Sequence, residues 1–204
     1  MQSYKLYTSS INRRYLDEIV ERLRDGEIII YPTDSIYAIG CDALNNRAVE
    51  RVCRLKGINP AKQRLSIVCE NISMASEYAR IDNEAFRIMR ANLPGPFTFV
   101  LPASSKLSKA FKGRREVGVR VPDNAIAVAI AQELGNPLLS TTVEWNDADP
   151  GYLHVPTSLS MRYEGAVDAI VDGGEGGTEP SAVISLLDSR APEILREGSV
   201  DPIL

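Results

Sequence analysis

With 204 residues, 44% of them hydrophobic and 25% charged, the chain has the composition of one globular domain able to bury a core without disulfides or metal. Its formal net charge of −4 argues against a general nucleic-acid binder, its apolar runs are far too short to span a bilayer, and the N-terminus shows no signal-peptide pattern. Cys41, Cys53 and Cys69 form no C-x-x-C pair and read as buried thiols of a reducing, cytoplasmic compartment rather than as a disulfide framework or zinc site.

Residues 3–8 alternate and predict a first strand. Asn12 precedes a helical pattern with Tyr15, Leu16, Ile19, Val20 and Leu23 on its apolar stripe, stopped by Asp25-Gly26. Residues 27–31 form a short buried strand ended by Pro32. Asn46 caps a second helix through Val49, Val52, Cys53 and Leu55, closed by Lys56-Gly57. A strand over 65–69 is followed by a helix from about Asp82, with Ala85, Ile88, Met89 and Leu93 on one stripe and Pro94-Gly95-Pro96 at its end. Strands are predicted over 97–101 and 117–121, then a helix from Asn124 to Leu134 with Gly135 behind it, and a strand over 138–142. A helix over 156–163 and strands over 169–171, 182–187 and 194–196 complete the chain. Helices alternate with short apolar strands and no repeat or linker interrupts them. The expected fold class is α/β, a single domain over 1–204 built on a twisted, mixed, open sheet with helices on its faces.

Charge is unevenly distributed. Residues 47–64 hold six basic residues against Glu50, and residues 106–120 hold six against Glu116, so these segments contain 12 of the 23 Lys and Arg. From Val121 onward there are three basic residues and fourteen acids. The two segments are either solvated helix faces or, where they meet in space, one positive face on an acidic body.

No P-loop, G-x-G-x-x-G, H-E-x-x-H or G-x-S-x-G motif is present. His154, the single histidine, lies in a Pro/Gly-containing loop and reads as a surface or loop-stabilising residue. Gly173-Gly174-Glu175-Gly176-Gly177 could cradle an anion, but Glu175 and Glu179 would repel phosphate, and an acidic loop is the better reading. The informative stretch is Tyr31-Pro32-Thr33-Asp34-Ser35-Ile36-Tyr37-Ala38-Ile39-Gly40-Cys41-Asp42. Hydroxyl residues follow the end of a buried strand, where open α/β sheets border ligand clefts; a turn is the plainer alternative.

That stretch resembles the P-T-[DE]-[TS]-x-[YF]-G-[LI]-G signature of the YrdC/Sua5/YciO family. The resemblance continues in order through Leu55-Lys56-Gly57, Pro94-Gly95-Pro96-Phe97-Thr98, Gly118-Val119-Arg120-Val121-Pro122, Leu139-Ser140-Thr141-Thr142, Pro180-Ser181-Ala182-Val183-Ile184 and Leu195-Arg196-Glu197-Gly198. It spans about residues 25–198 and is nearest the YciO branch. It implies a YrdC-like fold with a concave basic groove. It also implies the chemistry of threonylcarbamoyl-adenylate, made from L-threonine, bicarbonate and ATP and linked to the t6A modification of tRNA. The resemblance brings Mg2+ with the ATP and no protein-bound metal site. An ATP- or AMP-type nucleotide and L-threonine or a related small molecule are the expected ligands. Lys56 and Arg196 would meet the phosphates, and Ser140 and Thr142 would line the nucleotide site. Thr33 would hydrogen-bond the amino acid, Arg120 would fork onto its carboxylate and Ser181 would add a hydroxyl. An unpaired buried guanidinium at Arg120 would be costly, so that position holds either a ligand or an internal ion pair.

The chain departs from the family pattern at three places. Ile58 stands at the arginine of K-x-R, Glu144 at the asparagine of S-x-N, and Cys69 where many members have histidine. Near a triphosphate the Glu144 carboxylate would repel by roughly 4 kcal/mol per charge pair at ~4 Å and an effective dielectric near ~20. Synthase activity is therefore expected to be weak, changed in substrate, or absent. The alternative is a translation factor binding tRNA, rRNA or double-stranded RNA through Arg51, Arg54, Lys62, Arg64, Lys109, Lys112, Arg114 and Arg115, without synthase activity. The sequence bears on neither protein partners nor oligomeric state.

Overall fold

The computed structural model describes residues 1–59, 63–107, 111, 115–143 and 154–204. Asn and Asp side chains start most of its helices, because a short side-chain oxygen can accept the amide protons that a first helical turn leaves unpaired. Asn12 caps α1 (Arg13–Arg24), Asn45 caps α2 (Asn46–Leu55), Asn71 caps α3 (Ile72–Tyr78), Asp82 caps α4 (Asn83–Asn92) and Asn124 caps α5 (Ala125–Leu134). α6 (Pro156–Arg162) starts instead on a proline, whose missing N–H costs nothing there.

The strands are β1 (Gln2–Lys5), β2 (Ile29–Tyr31), β3 (Ala38–Asp42), β4 (Ser66–Val68), β5 (Phe97–Pro102), β6 (Glu116–Arg120), β7 (Leu138–Thr142), β8 (Ala169–Asp172), β9 (Ala182–Ser185) and β10 (Glu193–Arg196). They form one open sheet in the order β1-β8-β2-β3-β7-β4-β6-β5-β9-β10. β1/β8, β8/β2, β4/β6 and β5/β9 are parallel, and the other neighbours are antiparallel. The expected mixed open α/β sheet is what the chain forms. Two elements were not foreseen. β3 lies within the stretch 31–42, for which the sequence predicts no strand; it is buried on both faces and so lacks the polar–apolar alternation that marks a half-exposed strand. α3 is only seven residues long, too short for a periodic stripe. The first strand is also shorter than the 3–8 expected.

Alternating residues divide the core between the two faces. α1 and α5 cover one face, packing Leu16, Ile19, Leu23, Ile126 and Ile130 on Tyr4, Ile29, Tyr31 and Val171. α2, α3, α4 and α6 cover the other, where Val49, Val52, Met89 and Leu159 meet Ile30, Ile39, Ile67 and Phe99. Asp168 joins three elements at one end of the sheet. Its Oδ2 accepts the Ile28 amide at 2.8 Å, and its Oδ1 accepts Arg51 Nη2 from α2 at 3.0 Å. Burial pushes the Asp168 carboxyl up, but the Arg51 and Ile28 hydrogen bonds outweigh it and hold its pKa below the usual aspartate value.

Arg51→Met should therefore lower unfolding free energy by about 1 kcal/mol at pH 7, discounted for the partial exposure of both partners. Because the folded pKa of Asp168 is depressed, its contribution is complete above the unfolded value near ~4 and is lost as pH falls through the folded one. Urea titrations of parent and variant should differ constantly from pH 7 to 5 and converge at lower pH. A constant gap into strong acid would show that Arg51 acts by packing alone.

Candidate functional site

Cross-strand partners share a face of a sheet, and the register here lines small and hydroxyl residues up in one row. Gly40 pairs with Ser140, Ser140 with Ser66, Ser66 with Gly118 and Gly118 with Val100. The row lies on the α1/α5 face, but those helices cover only its β1-side half. Over the remainder the sheet is the floor of a cavity of about 260 Å3 lined by Ser66, Thr98, Gly118, Ser140, Thr142, Ser181 and the cations Arg64, Arg120 and Arg196, among others. Glycine is required in this row by close approach. A Cβ at Gly118 would run into the Ser66 side chain, and one at Gly40 would stand 2.7 Å from both the Leu139 carbonyl oxygen and the Tyr31 ring.

Arg120 ends β6 in a buried position, at 9% exposure. Its Nη2 forms an ion pair with Asp34 Oδ1 and donates to Ser35 Oγ at 2.7 Å and Thr33 Oγ1 at 3.2 Å. Asp34 Oδ2 accepts the Asp123 amide at 2.8 Å, which ties the loop after β2 to the start of α5. The ion pair, one of the two outcomes the sequence left open, is thus formed, yet it does not close the site: Arg120 still lines the cavity, and its buried Nε has no partner among the described residues. Arg196, on the edge strand β10, donates through Nε and Nη2 to the Ser181 carbonyl oxygen at 3.1 and 2.7 Å. Burial and the nearby Arg120 charge pull its pKa below the usual arginine value. Two guanidinium groups thus approach each other around Ser181, and both favour an anion between them. The Ser181 hydroxyl is held 3.0 Å from Thr98 Oγ1. Ser140 Oγ accepts the Tyr31 hydroxyl at 2.8 Å, which leaves the serine proton to donate elsewhere. Burial pushes the Tyr31 pKa up and keeps it a neutral donor.

The structure therefore gathers Arg120, Ser181, Arg196, Ser140 and Thr142 around one cavity. Thr33 lies behind Arg120: its hydroxyl donates to the Ile36 carbonyl at 2.9 Å and accepts the Ser35 amide at 3.0 Å, and it is absent from the lining. Lys56 caps the C-terminus of α2, and the lining takes Ile58 two residues on instead. The basic segments divide. Arg51 and Arg54 belong to α2 on the opposite face, and Arg51 is ion-paired to Asp168. Arg64 lines the cavity, and exposed Arg115 leads into β6, the parallel neighbour of β4. Lys62, Lys109, Lys112, Arg114 and Glu144 lie outside the described residues. Cys69 is fully buried and not in the lining. The glycine-rich loop is pinned to protein rather than open to an anion: Gly173, Gly176 and Gly177 donate to the Tyr37 hydroxyl, the His154 carbonyl and the Ser35 carbonyl. Asp34, Ser35, Tyr31 and Thr98 were given no role from sequence. All stand in the quoted motifs, but their partners come from other strands.

Comparison with known proteins follows the same lines. The family model Sua5_yciO_yrdC, described as "Telomere recombination", matches residues 21–198. The YciO protein of Escherichia coli (strain K12) is 36% identical over 207 residues, 98% of this chain and 97% of its own. The E. coli YciO crystal structure superposes with a TM-score of 0.88 at 35% identity, covering 98% of this chain and 97% of that one. The structure of P. abyssi Sua5 complexed with L-threonine has a TM-score of 0.85 at 24% identity, covering 98% of this chain and 58% of that one. No described helix is long and apolar enough to cross a membrane.

Asp34→Ala should cost about 3 kcal/mol of unfolding free energy, because it leaves a buried guanidinium without its counter-ion. Asp34→Asn, which keeps an acceptor, should cost less. Equal and negligible losses in chemical denaturation would show that Arg120 is already neutralised by something else.

Proposed function

The chain belongs to the Sua5/YciO/YrdC family, and from that premise we propose that its cavity binds L-threonine, or a related small amino acid, beside an ATP- or AMP-type nucleotide. The observation that supports this most is the pair of guanidinium groups around Ser181, set beside a floor of serine and threonine hydroxyls. A carboxylate at Arg120 would meet its unpartnered Nε, which points to a further hydrogen bond still to be made. The related Sua5 structure holds L-threonine, in keeping with that assignment. Arg196 would face the phosphates, and Ser140 and Thr142 the rest of the nucleotide.

The reaction is threonylcarbamoyl-adenylate formation: the threonine amine takes up the carbon of bicarbonate with loss of its hydroxyl as water, and an oxygen of the resulting carbamate attacks the α-phosphorus while pyrophosphate leaves. The protein needs no nucleophile for this. It needs fixed donors and cations facing negative charge that would otherwise repel itself. Among the described residues no carboxylate lines the cavity and no group of three His, Cys, Asp or Glu gathers. A magnesium ion accompanying ATP would be held by the nucleotide. Ile58 lines the cavity with no donor to offer where complete synthases carry arginine. The activity is accordingly weaker than theirs.

Arg120→Lys should weaken L-threonine binding by about 10- to 100-fold, the range for losing a hydrogen bond between charged groups. The charge-balanced double variant Asp34→Asn/Arg120→Met should lose it further while remaining folded. Calorimetry reads both, and unaltered affinity would remove Arg120 from the site. Pyrophosphate release from threonine, bicarbonate and ATP should fall far below that of a relative with the full K-x-R and S-x-N set; equal turnover would overturn the weakened-synthase reading.

A further inference from the structure

Arg64 has no part in the function described above, and from sequence it was grouped with residues expected to meet RNA. The structure puts it in the wall of the same cavity, beside Ile58. The register explains why. Ser66 is paired with Ser140 on one side and Gly118 on the other. Arg64 lies two residues before β4, where continuing the same register points it toward Thr142 on the β7 side and Glu116 on the β6 side. Its Nε is bonded to Glu116 Oε1 at 2.7 Å. Arg120 lies four residues beyond Glu116 on β6, about 13 Å along the strand at ~3.3 Å per residue. The floor of Ser66 and Gly118 therefore runs between a guanidinium at each end.

The two ends are built differently. Arg120 and Asp34 are buried, at 10% and 8% side-chain exposure, and each is held by further hydrogen bonds. Arg64 and Glu116 remain 43% and 24% exposed. A solvated pair of that kind has little net attraction, so a stronger anion can take the guanidinium from it. A phosphate group is such an anion, since its oxygens match the guanidinium fork in geometry and have twice the charge of a carboxylate.

We propose that Arg64 is a second anion subsite of the cavity, specific for a phosphate or pyrophosphate group, and that Glu116 is a built-in competitor that sets its affinity. Thr142 and Ser66 flank the subsite with hydroxyl donors. Among the described residues Arg64 is the cation lining this part of the cavity, and Ile58 in the same lining has no side-chain donor. The assignment of the opposite end to a carboxylate rests on the function proposed above; the phosphate subsite does not.

The test is calorimetry of the full chain with inorganic pyrophosphate and, separately, with L-threonine. Arg64→Met should weaken pyrophosphate binding about tenfold or more, and R64K should retain part of it. Glu116→Gln should strengthen it about three- to tenfold, and the double variant should behave as R64M does. L-threonine affinity should stay within about twofold of the parent in every variant. Unchanged pyrophosphate affinity in R64M, weaker binding in E116Q, parallel losses for both ligands, or no pyrophosphate binding by the parent protein would each overturn the subsite. Pyrophosphate results as expected, with no L-threonine binding by the parent, would leave the subsite standing and sink the amino-acid reading.

Discussion

The buried ion pair between Asp34 and Arg120 fixes the geometry of the site. It joins the loop that leaves β2 to the end of β6, strands separated in the sheet by β3, β7 and β4. Neither charge could be buried alone without a cost of several kcal/mol, so the loop and the strand end must form together. The same carboxylate holds the Asp123 amide, which brings the start of α5 to the same point. The guanidinium is thereby locked in place before any ligand arrives. Preorganisation of this kind lets a cation act on a bound anion without rearranging first.

A cavity exists here because a face of the sheet is left partly uncovered. α1 and α5 bury the β1-side half with large aliphatic side chains. Two residues along the same strands from Val68 and Leu138, this face carries Ser66 and Ser140 with Gly118 beside them, residues too small to fill the space above the sheet. The hydroxyls that remain find partners within the sheet, as Ser140 does with Tyr31 and Ser181 with Thr98. Such a floor is polar. It suits a ligand recognised by its charged ends more than by an apolar body.

An overall charge of −4 is compatible with an anion-binding cavity because the acids are engaged elsewhere. Asp168 holds Arg51 on the far face, Glu27 holds Arg22, and Asp172 holds Lys5. Among the described residues three guanidinium groups line one cavity, Arg120 paired to the buried Asp34, Arg64 to the part-exposed Glu116, and Arg196 held by the Ser181 carbonyl. Local charge, not net charge, governs what this surface attracts. The loss of an arginine at position 58 is a change within that cluster rather than the end of it.

Fold class, nearly every element and three of the helix caps are legible from hydrophobic period and short-range hydrogen bonding, while the cap of α2 is Asn45 and not the Asn46 expected. Asn12, Asp82 and Asn124 begin helices as read, and strand 138–142 is found unchanged. The sequence also placed Arg120, Ser181, Arg196, Ser140 and Thr142 in ordered motifs that converge on one cavity. Which side chains face one another follows from the three-dimensional fold. Asp34 pairs with Arg120 across 86 residues, Thr33 turns away from the cavity, Arg51 is drawn to Asp168 on the opposite face, and Arg64 is turned into the cavity beside Thr142. Those outcomes depend on strand order and register. Both are set by long-range pairing, in which a shift of one residue in β6 would send Arg120 to the other face and leave Asp34 without its partner.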